Sequence, residues 1–399
     1  MMQRAFPAFC LMHLLFLSGC MLHRVSQFKT AYSTPEQIKR TFAQCFDGTD
    51  PNSCERAAWE LAYIGDYDAA LLAWDLAGKK AYTPKADSMI DLATMTLQPA
   101  LPHIFEQAKN HQVVMINEDH HSPHHRVFTT ELLDSLYVLG FRSLGIEGLK
   151  VDVVSGNIDQ IPGKGYLIEP QYANLLRHAL NLGYYVFGYD NVYGRGKDRE
   201  LNQVNEIIRH MAVNHNQKTL IHSGGGHIRE DTLILGGLMG YQFKKKTGID
   251  PLTINQARFS EHLQKTKEHF LYRDLPPFAA PSIWVNRATR APYTDGITDL
   301  LVLHPRTRFQ DGRVSYLYDN ARYFKKKIKL PKSINPALIC TYFYTESGQY
   351  EGHTPVDIIA DCKNPKKEFV VLTPFNGRYI SIVFDAEMNV VHHVKFRTL

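Results

Sequence analysis

Nine residues of this chain, Asn117-Glu118-Asp119-His120-His121-Ser122-Pro123-His124-His125, set carboxylates beside four imidazoles, and about a hundred residues later Ser223-Gly224-Gly225-Gly226-His227 adds another imidazole on flexible backbone. A neutral imidazole needs both a donor and an acceptor partner, and a charged one resists burial. Four within six positions therefore cannot all be satisfied core residues. Carboxylate next to imidazole is the pairing used in general acid–base catalysis and in metal binding. The competing reading is a solvated His-rich turn that scavenges metal, because such a tract is only compositional evidence.

The elements that must position these groups follow from the hydrophobic pattern. Val113–Ile116 is a short apolar run of buried-strand type, followed by the acidic/His loop and then a helix carrying Phe128, Leu132, Leu133, Leu136 and Leu139. The grammar repeats. Strands are expected at Ser143–Ile146, Tyr184–Tyr189 and Thr219–Ile221, with helices at 170–182, 200–213 and 229–243, and further strands at Leu252–Ile254, Ile283–Val285 and Leu300–Leu303. A βα series of this kind implies an α/β fold with a mostly parallel sheet and helices on both faces. In an open parallel sheet the carboxyl ends of the strands share one crevice, where ligands bind. Glu118, Glu147, Asp190, His222 and His227 all fall at or just past such ends.

The flanks differ in character. Residues 35–110 read as a helical cap, with a helical hairpin around Gly65-Asp66-Tyr67 that resembles a single tetratricopeptide-like helix pair. No second copy is evident, and one unit cannot bury its own face. Residues 111–334 form the α/β domain. Residues 335–399 alternate in strand fashion around turns at Asn376-Gly377 and Glu387–Asn389 and read as a small antiparallel β unit, in which His392 and His393 point to opposite faces.

Composition sets outer limits. With 399 residues, 44% of them hydrophobic, the chain can bury a substantial core. A net charge of +5, spread over 45 basic and 40 acidic side chains, is no nucleic-acid footprint. Lys244–Lys246 and Lys325–Lys327 lack interleaved aromatics and read as solvated faces.

At the N-terminus, Arg4 precedes an apolar run, Ala8–Leu17, too short to span a bilayer but suited to export. It ends in Leu17-Ser18-Gly19-Cys20, which resembles the lipobox of bacterial lipoproteins. That implies residues 1–19 as signal peptide, lipidation of Cys20 as a membrane anchor, and 20–34 as a tether. Met21, in the absence of Asp there, favours the outer membrane in a host with two. Cys45 with Cys54, and Cys340 with Cys362, bracket polar turns and are candidates for local disulfides in an oxidising compartment. No CxxC spacing exists, which argues against a thiolate zinc site.

Asn117-Glu118-x-His120-x-x-x-x-His125, the sequence Leu-Gly-Ile-Glu147-Gly and Gly224-Gly225-Gly226-His227 together resemble the superfamily of erythromycin esterases, ChaN-like haem-binding lipoproteins and the Tiki/TraB group. Asn117 stands where a glycine is usual, and it tolerates left-handed backbone angles. Read from the residues themselves, the expected catalytic set is Glu118, His120, His121, Glu147 and His227, with His120 or His121 as general base. His120, Glu147 and His227 are the candidate metal ligands, for Zn, Mn or Fe. His125, Asp190 and Arg229 are candidates for binding a small-molecule or peptide substrate. Three functions stay open: a hydrolase of ester or amide bonds, with or without a divalent metal; a lipoprotein that captures haem; and an inactive scaffolding lipoprotein that uses its helical cap for partners. Haem needs one axial His or Tyr, and Tyr166, Tyr184, Tyr189 and Tyr193 fall near the crevice.

Other candidates are weaker. Gly194-Arg195-Gly196-Lys197 lacks P-loop spacing. No Gly-x-Ser-x-Gly exists, which leaves Ser223 as the one serine to watch as a nucleophile.

Overall fold

The computed structural model describes residues 32–46, 52–78, 90–149, 165–190, 193–360, 362, 364 and 366–399. The leader, Cys20 and all but the last residues of the tether lie outside the described residues. Three helices come first: α1 (Pro35–Phe46), α2 (Ser53–Tyr63) and α3 (Tyr67–Leu76). Next are β1 (Met95–Pro99) and α4 (Ala100–Ala108). The alternating series follows as β2 (Val113–Glu118), α5 (Pro123–Val138), β3 (Phe141–Ile146), α6 (Pro170–Leu182), β4 (Tyr185–Gly188), α7 (Lys197–Val213), β5 (Lys218–Gly224), α8 (Met239–Thr247) and β6 (Leu252–Asn255). One-turn α9 (Phe270–Arg273), β7 (Ser282–Asn286) and β8 (Leu300–Leu301) complete this part. Beyond them lie β9 (Phe309–Gln310), β10 (Arg313–Val314), α10 (Ser315–Tyr318), β11 (Phe324–Lys329), β12 (Leu338–Phe343), β13 (Asp357–Ile359), β14 (Glu368–Thr373), β15 (Gly377–Phe384) and β16 (Val390–Thr398).

The fold is α/β. Six parallel strands run in the order β4-β3-β5-β2-β6-β8. Period-two alternation divides their side chains between two cores. Val114, Ile116, Leu144 and Ile146 join Phe128, Leu132, Tyr172 and Leu175 from α5 and α6, together with Ala100 and Ile104 from α4, on one face. Val113, Met115 and Ile221 join Val204, Ile207, Met239 and Phe243 from α7 and α8 on the other. Helices therefore cover both faces, and every strand is buried.

Three expected features are corrected. The expected helix at 229–243 is confined to Met239–Thr247, because Leu235, Gly236 and Gly237 all adopt positive φ and residues 225–238 form turns. The expected strand at Ile283–Val285 does not join the parallel sheet: β7 pairs antiparallel with β1. Residues 95–108 thus belong with the α/β body and not with the cap, since β1 holds β7 and α4 packs into the sheet's core.

The cap rests on the C-terminal unit. Ala57, Ala58, Leu61, Ala62, Ala70 and Ala73 share a core with Leu338, Cys340, Tyr342, Ile380 and Ile382 from the four-stranded sheet β13-β12-β15-β16. That sheet's other face packs on β11 and β14, so the unit begins before residue 335. Cys45 and Cys54 form a disulfide. Cys340 and Cys362 do not, because they face the cores on opposite sides of β12. No described helix is long and apolar enough to cross a membrane.

Candidate functional site

β2 delivers Glu118 to the carboxyl edge of the sheet, and Pro123, in the first turn of α5, ends the short loop that carries His120 and His121, with His124 and His125 following on the helix. Side chains on a helix lean toward its N-terminus, so Arg126, one turn into α5, reaches back over this loop. Its Nε and Nη2 donate to the two Glu118 oxygens at 2.7 Å each. Its Nη1 donates to Glu169 at 3.0 Å, and its guanidinium lies 4.7 Å from the centre of the Tyr172 ring. Two imidazoles complete the knot: His120 Nδ1 lies 2.7 Å from Glu118 Oε1, and His222 Nε2 lies 2.8 Å from Oε2. Burial alone would push the Glu118 carboxyl up. The charge and hydrogen bonds of Arg126, with those of His120 and His222, outweigh it and hold the group well below the usual carboxylate range.

His120 is partly exposed, at 17% of its side chain, as is His227. The His120 ring stacks on Tyr166 at 4.0 Å and meets Trp59 of the cap edge-on at 5.5 Å. Nδ1 is spent on Glu118, and Nε2 hangs over Gly224. A Cβ on Gly224 would lie 2.5 Å from His120 Nε2 and 3.2 Å from Glu147 Oε2, so a side chain there would have to push the His120 ring aside, a demand of space and not of backbone angle. Gly148 meets both demands at once: its φ is +75°, and a Cβ would strike Tyr166 at 2.4 Å.

Glu147 follows β3 and turns inward. The Gly224 amide donates to its Oε2, and Arg199 Nη2 donates to its Oε1 at 2.9 Å. Burial would raise this carboxyl, but the hydrogen bond and charge of His227, the charge of His120 and the Gly224 amide keep it ionised far below its ordinary range. His227 sits between two carboxylates, with Nδ1 2.9 Å from Glu200 and Nε2 3.4 Å from Glu147. Burial would lower it, yet its bonds and charge interactions with Glu147 and Glu200 win, and it is pushed up to about 10. Arg199 Nη1 also lies 3.2 Å from Nε2. A protonated Nε2 cannot accept from it, and the two flanking carboxylates favour the imidazolium facing Glu147.

The structure sorts the remaining sequence candidates. Asp190 does not face the open crevice: its Oδ1 accepts from Arg199 Nε and Nη2 and from Gln203, so it aims Arg199. His121 leaves the carboxylates and stacks on Trp74 of the cap at 4.1 Å, where burial holds it neutral. His125 accepts from the Asp119 amide at 3.0 Å and packs beside His304, again neutral by burial. Both are thus engaged away from the carboxylates, whereas His120 directs Nε2 over Gly224. Arg229 is engaged by Asp231 and borders a neighbouring cleft. Ser223 lies fully inside the sheet, away from His120. Asn117 is extended and not left-handed. Its amide donates to the Gly225 and Asn255 oxygens and accepts from Gln256, which fastens β2 to the loops after β5 and β6. Among the tyrosines, Tyr184 and Tyr189 are buried, with hydroxyls bonded to backbone carbonyls, and Tyr193 is exposed. Only Tyr166 borders His120.

Arg126, Glu169, Arg199 and Glu200 escaped the sequence reading. Arg126 carried a clue, since it shares a helix face with Thr130 and Leu133, where an apolar residue is expected. As for metal, no group of three or more His, Cys, Asp or Glu side chains among the described residues is arranged to hold an ion. Of the donor set His120, Glu147 and His227, Glu147 already carries an ion pair to Arg199 at 2.9 Å.

No protein-family model matches the chain, and no curated protein matches it significantly. Among solved structures it is similar to the type III effector HopBA1, with a TM-score of 0.33 and 13% identity over 52% of this chain and 96% of that one. It is also similar to RRSP, a MARTX toxin effector domain from Vibrio vulnificus CMCP6, with a TM-score of 0.26 and 16% identity over 60% of this chain and 50% of that one. Likeness at this level carries no argument about the site or its function.

Proposed function

We propose that the chain is a hydrolase of ester or amide bonds in which His120 is the general base. The observation that carries this reading is the 2.7 Å contact between His120 Nδ1 and Glu118, which leaves Nε2 as the free nitrogen at the open edge of the sheet. Glu118 fixes the tautomer and stabilises the imidazolium that forms, while Arg126 and His222 fix Glu118. In the reaction Nε2 takes a proton from water, and the water oxygen bonds to the substrate carbonyl carbon. The bond to the leaving group then breaks, and His120 returns the proton to the departing alcohol or amine. Arg199, whose side chain is 31% exposed, is the cation available to the oxyanion, and Glu147 and Asp190 hold it in place.

The resemblance to the erythromycin esterase superfamily belongs to this reading, and of the positions that carry it Glu118, His120, Glu147, Gly224 and His227 lie together. A cell-envelope location through lipidation of Cys20 is part of the same proposal and rests on residues 17–20. Haem capture draws less support, because one face of His120 is covered by Tyr166 and its Nδ1 is spent on Glu118.

The test is turnover of p-nitrophenyl esters and of a peptide panel by the purified protein. His120→Ala should lower kcat by roughly 10²–10⁴-fold, the range for losing a general base. Undiminished turnover in that variant would overturn the assignment.

A further inference from the structure

A cleft of about 550 Å³ opens beside the site, bordered by Asp119, Gly225 and Gly226 of the same loops that carry His120 and Gly224. Its volume suits a small-molecule ligand. Its walls are mostly apolar: Trp74 from the cap, Ala257, Ile297, and Leu233 and Ile234 at the rim. The charged groups along it are matched internally. Arg229 is held by Asp231, Arg258 lies 3.9 Å from Asp295, and Asp119 accepts from the Ser260 hydroxyl. No net charge on this wall calls for an ionic ligand.

The rim is the unusual part. Leu233, Ile234 and Leu235 are 77%, 45% and 51% exposed, three consecutive large aliphatics facing water. The backbone that presents them is strained. Leu235 has φ +52°, in the left-handed region that a leucine rarely adopts, and Gly236 and Gly237 follow at +74° and +111°. Exposed apolar clusters on a strained loop mark sites where a ligand supplies the missing contacts.

We propose that this cleft binds an aliphatic acyl chain, the acyl side of the ester or amide on which His120 acts. The carbonyl end then lies at the Gly224–Gly226 edge, and the chain runs along Trp74 and Ile297 beneath the Leu233–Leu235 lip. The inference rests on the hydrolase reading only for where the carbonyl lies. The binding of the chain is a separate claim.

Titration of the full protein and of His120→Ala with hexanoate, octanoate and decanoate, followed by tryptophan fluorescence, tests that claim. Affinity should rise roughly fourfold per methylene in both proteins, the gain expected from burying a CH₂. The surface double variant Leu233→Asp/Ile234→Asp, checked for native circular dichroism, should weaken decanoate at least tenfold. Affinity indifferent to chain length, or unchanged in the double variant, overturns the cleft even if esters are hydrolysed. Chain-length-dependent binding without any turnover supports the cleft and overturns the hydrolytic reading alone.

Discussion

The same nine-residue run feeds two histidine clusters with opposite fates. On one side His120 meets a carboxylate at 2.7 Å and directs Nε2 over Gly224. On the other, His124 and His125 meet rings: His124 stacks on Tyr316 at 4.4 Å, both pack against His304, and burial brings each down to about 3. Identical side chains a few residues apart thus become a carboxylate-bonded imidazole or a neutral ring packed among rings. What they touch decides which, and the residue type does not.

The sharpest way to break this contrast is to truncate one member of each cluster. His120→Ala should abolish turnover by about three orders of magnitude with little change in stability, because the ring is partly solvated. His304→Ala should do the reverse, costing about 1–3 kcal/mol in urea unfolding while leaving kcat near wild type, because it strands the Gln256 oxygen that accepts from it at 2.9 Å. Equal effects on both assays in both variants would erase the distinction.

Gly224→Ala comes next. The added methyl collides with His120 Nε2 and not with backbone, so the ring swings aside, activity falls about 10²-fold and melting changes little. Near-normal kinetics would show that the nitrogen does not work in that space.

Titration separates the clusters more gently. The buried His124 and His125 have native pKa values depressed to about 3, below the unfolded value near 6.5. The stability they support is present above about pH 6.5 and is lost as pH falls from there toward 3. His227 runs the other way. Its raised value means that its ion-pair stability is complete below about pH 6.5 and disappears as pH rises through about 10. Unfolding free energy measured across that range should therefore fall at both ends, and His227→Gln should flatten the alkaline limb.

Much of the α/β body was legible in the sequence because its strands are short apolar runs capped by polar loops, and helix 170–182 is bounded by Pro170 and Gly183. The helix expected from 229 was not, because its apolar spacing through Leu233–Leu238 continues across two glycines whose left-handed angles break it. Among the residues that the structure brings together, Glu118, Glu147, Asp190, His222 and His227 were legible as strand-end residues, and His120 as part of the His-rich loop. Their partners Arg126, Arg199 and Glu200 were not, since each lies on a helix that tertiary packing alone brings to the crevice. The division of labour among the histidines was equally hidden, because it depends on Trp74, Tyr316 and His304, residues distant along the chain.

The strand order carries one more consequence. β2 and β3 do not touch each other as neighbours, because β5 lies between them and bonds to both. Glu118 and Glu147 therefore stay apart until a segment some seventy residues further along the chain has threaded into the gap, bringing Gly224 with it. Closing so long a loop is among the later steps available to a folding chain. On the hydrolase reading, the groups of the site therefore come together only in the finished sheet.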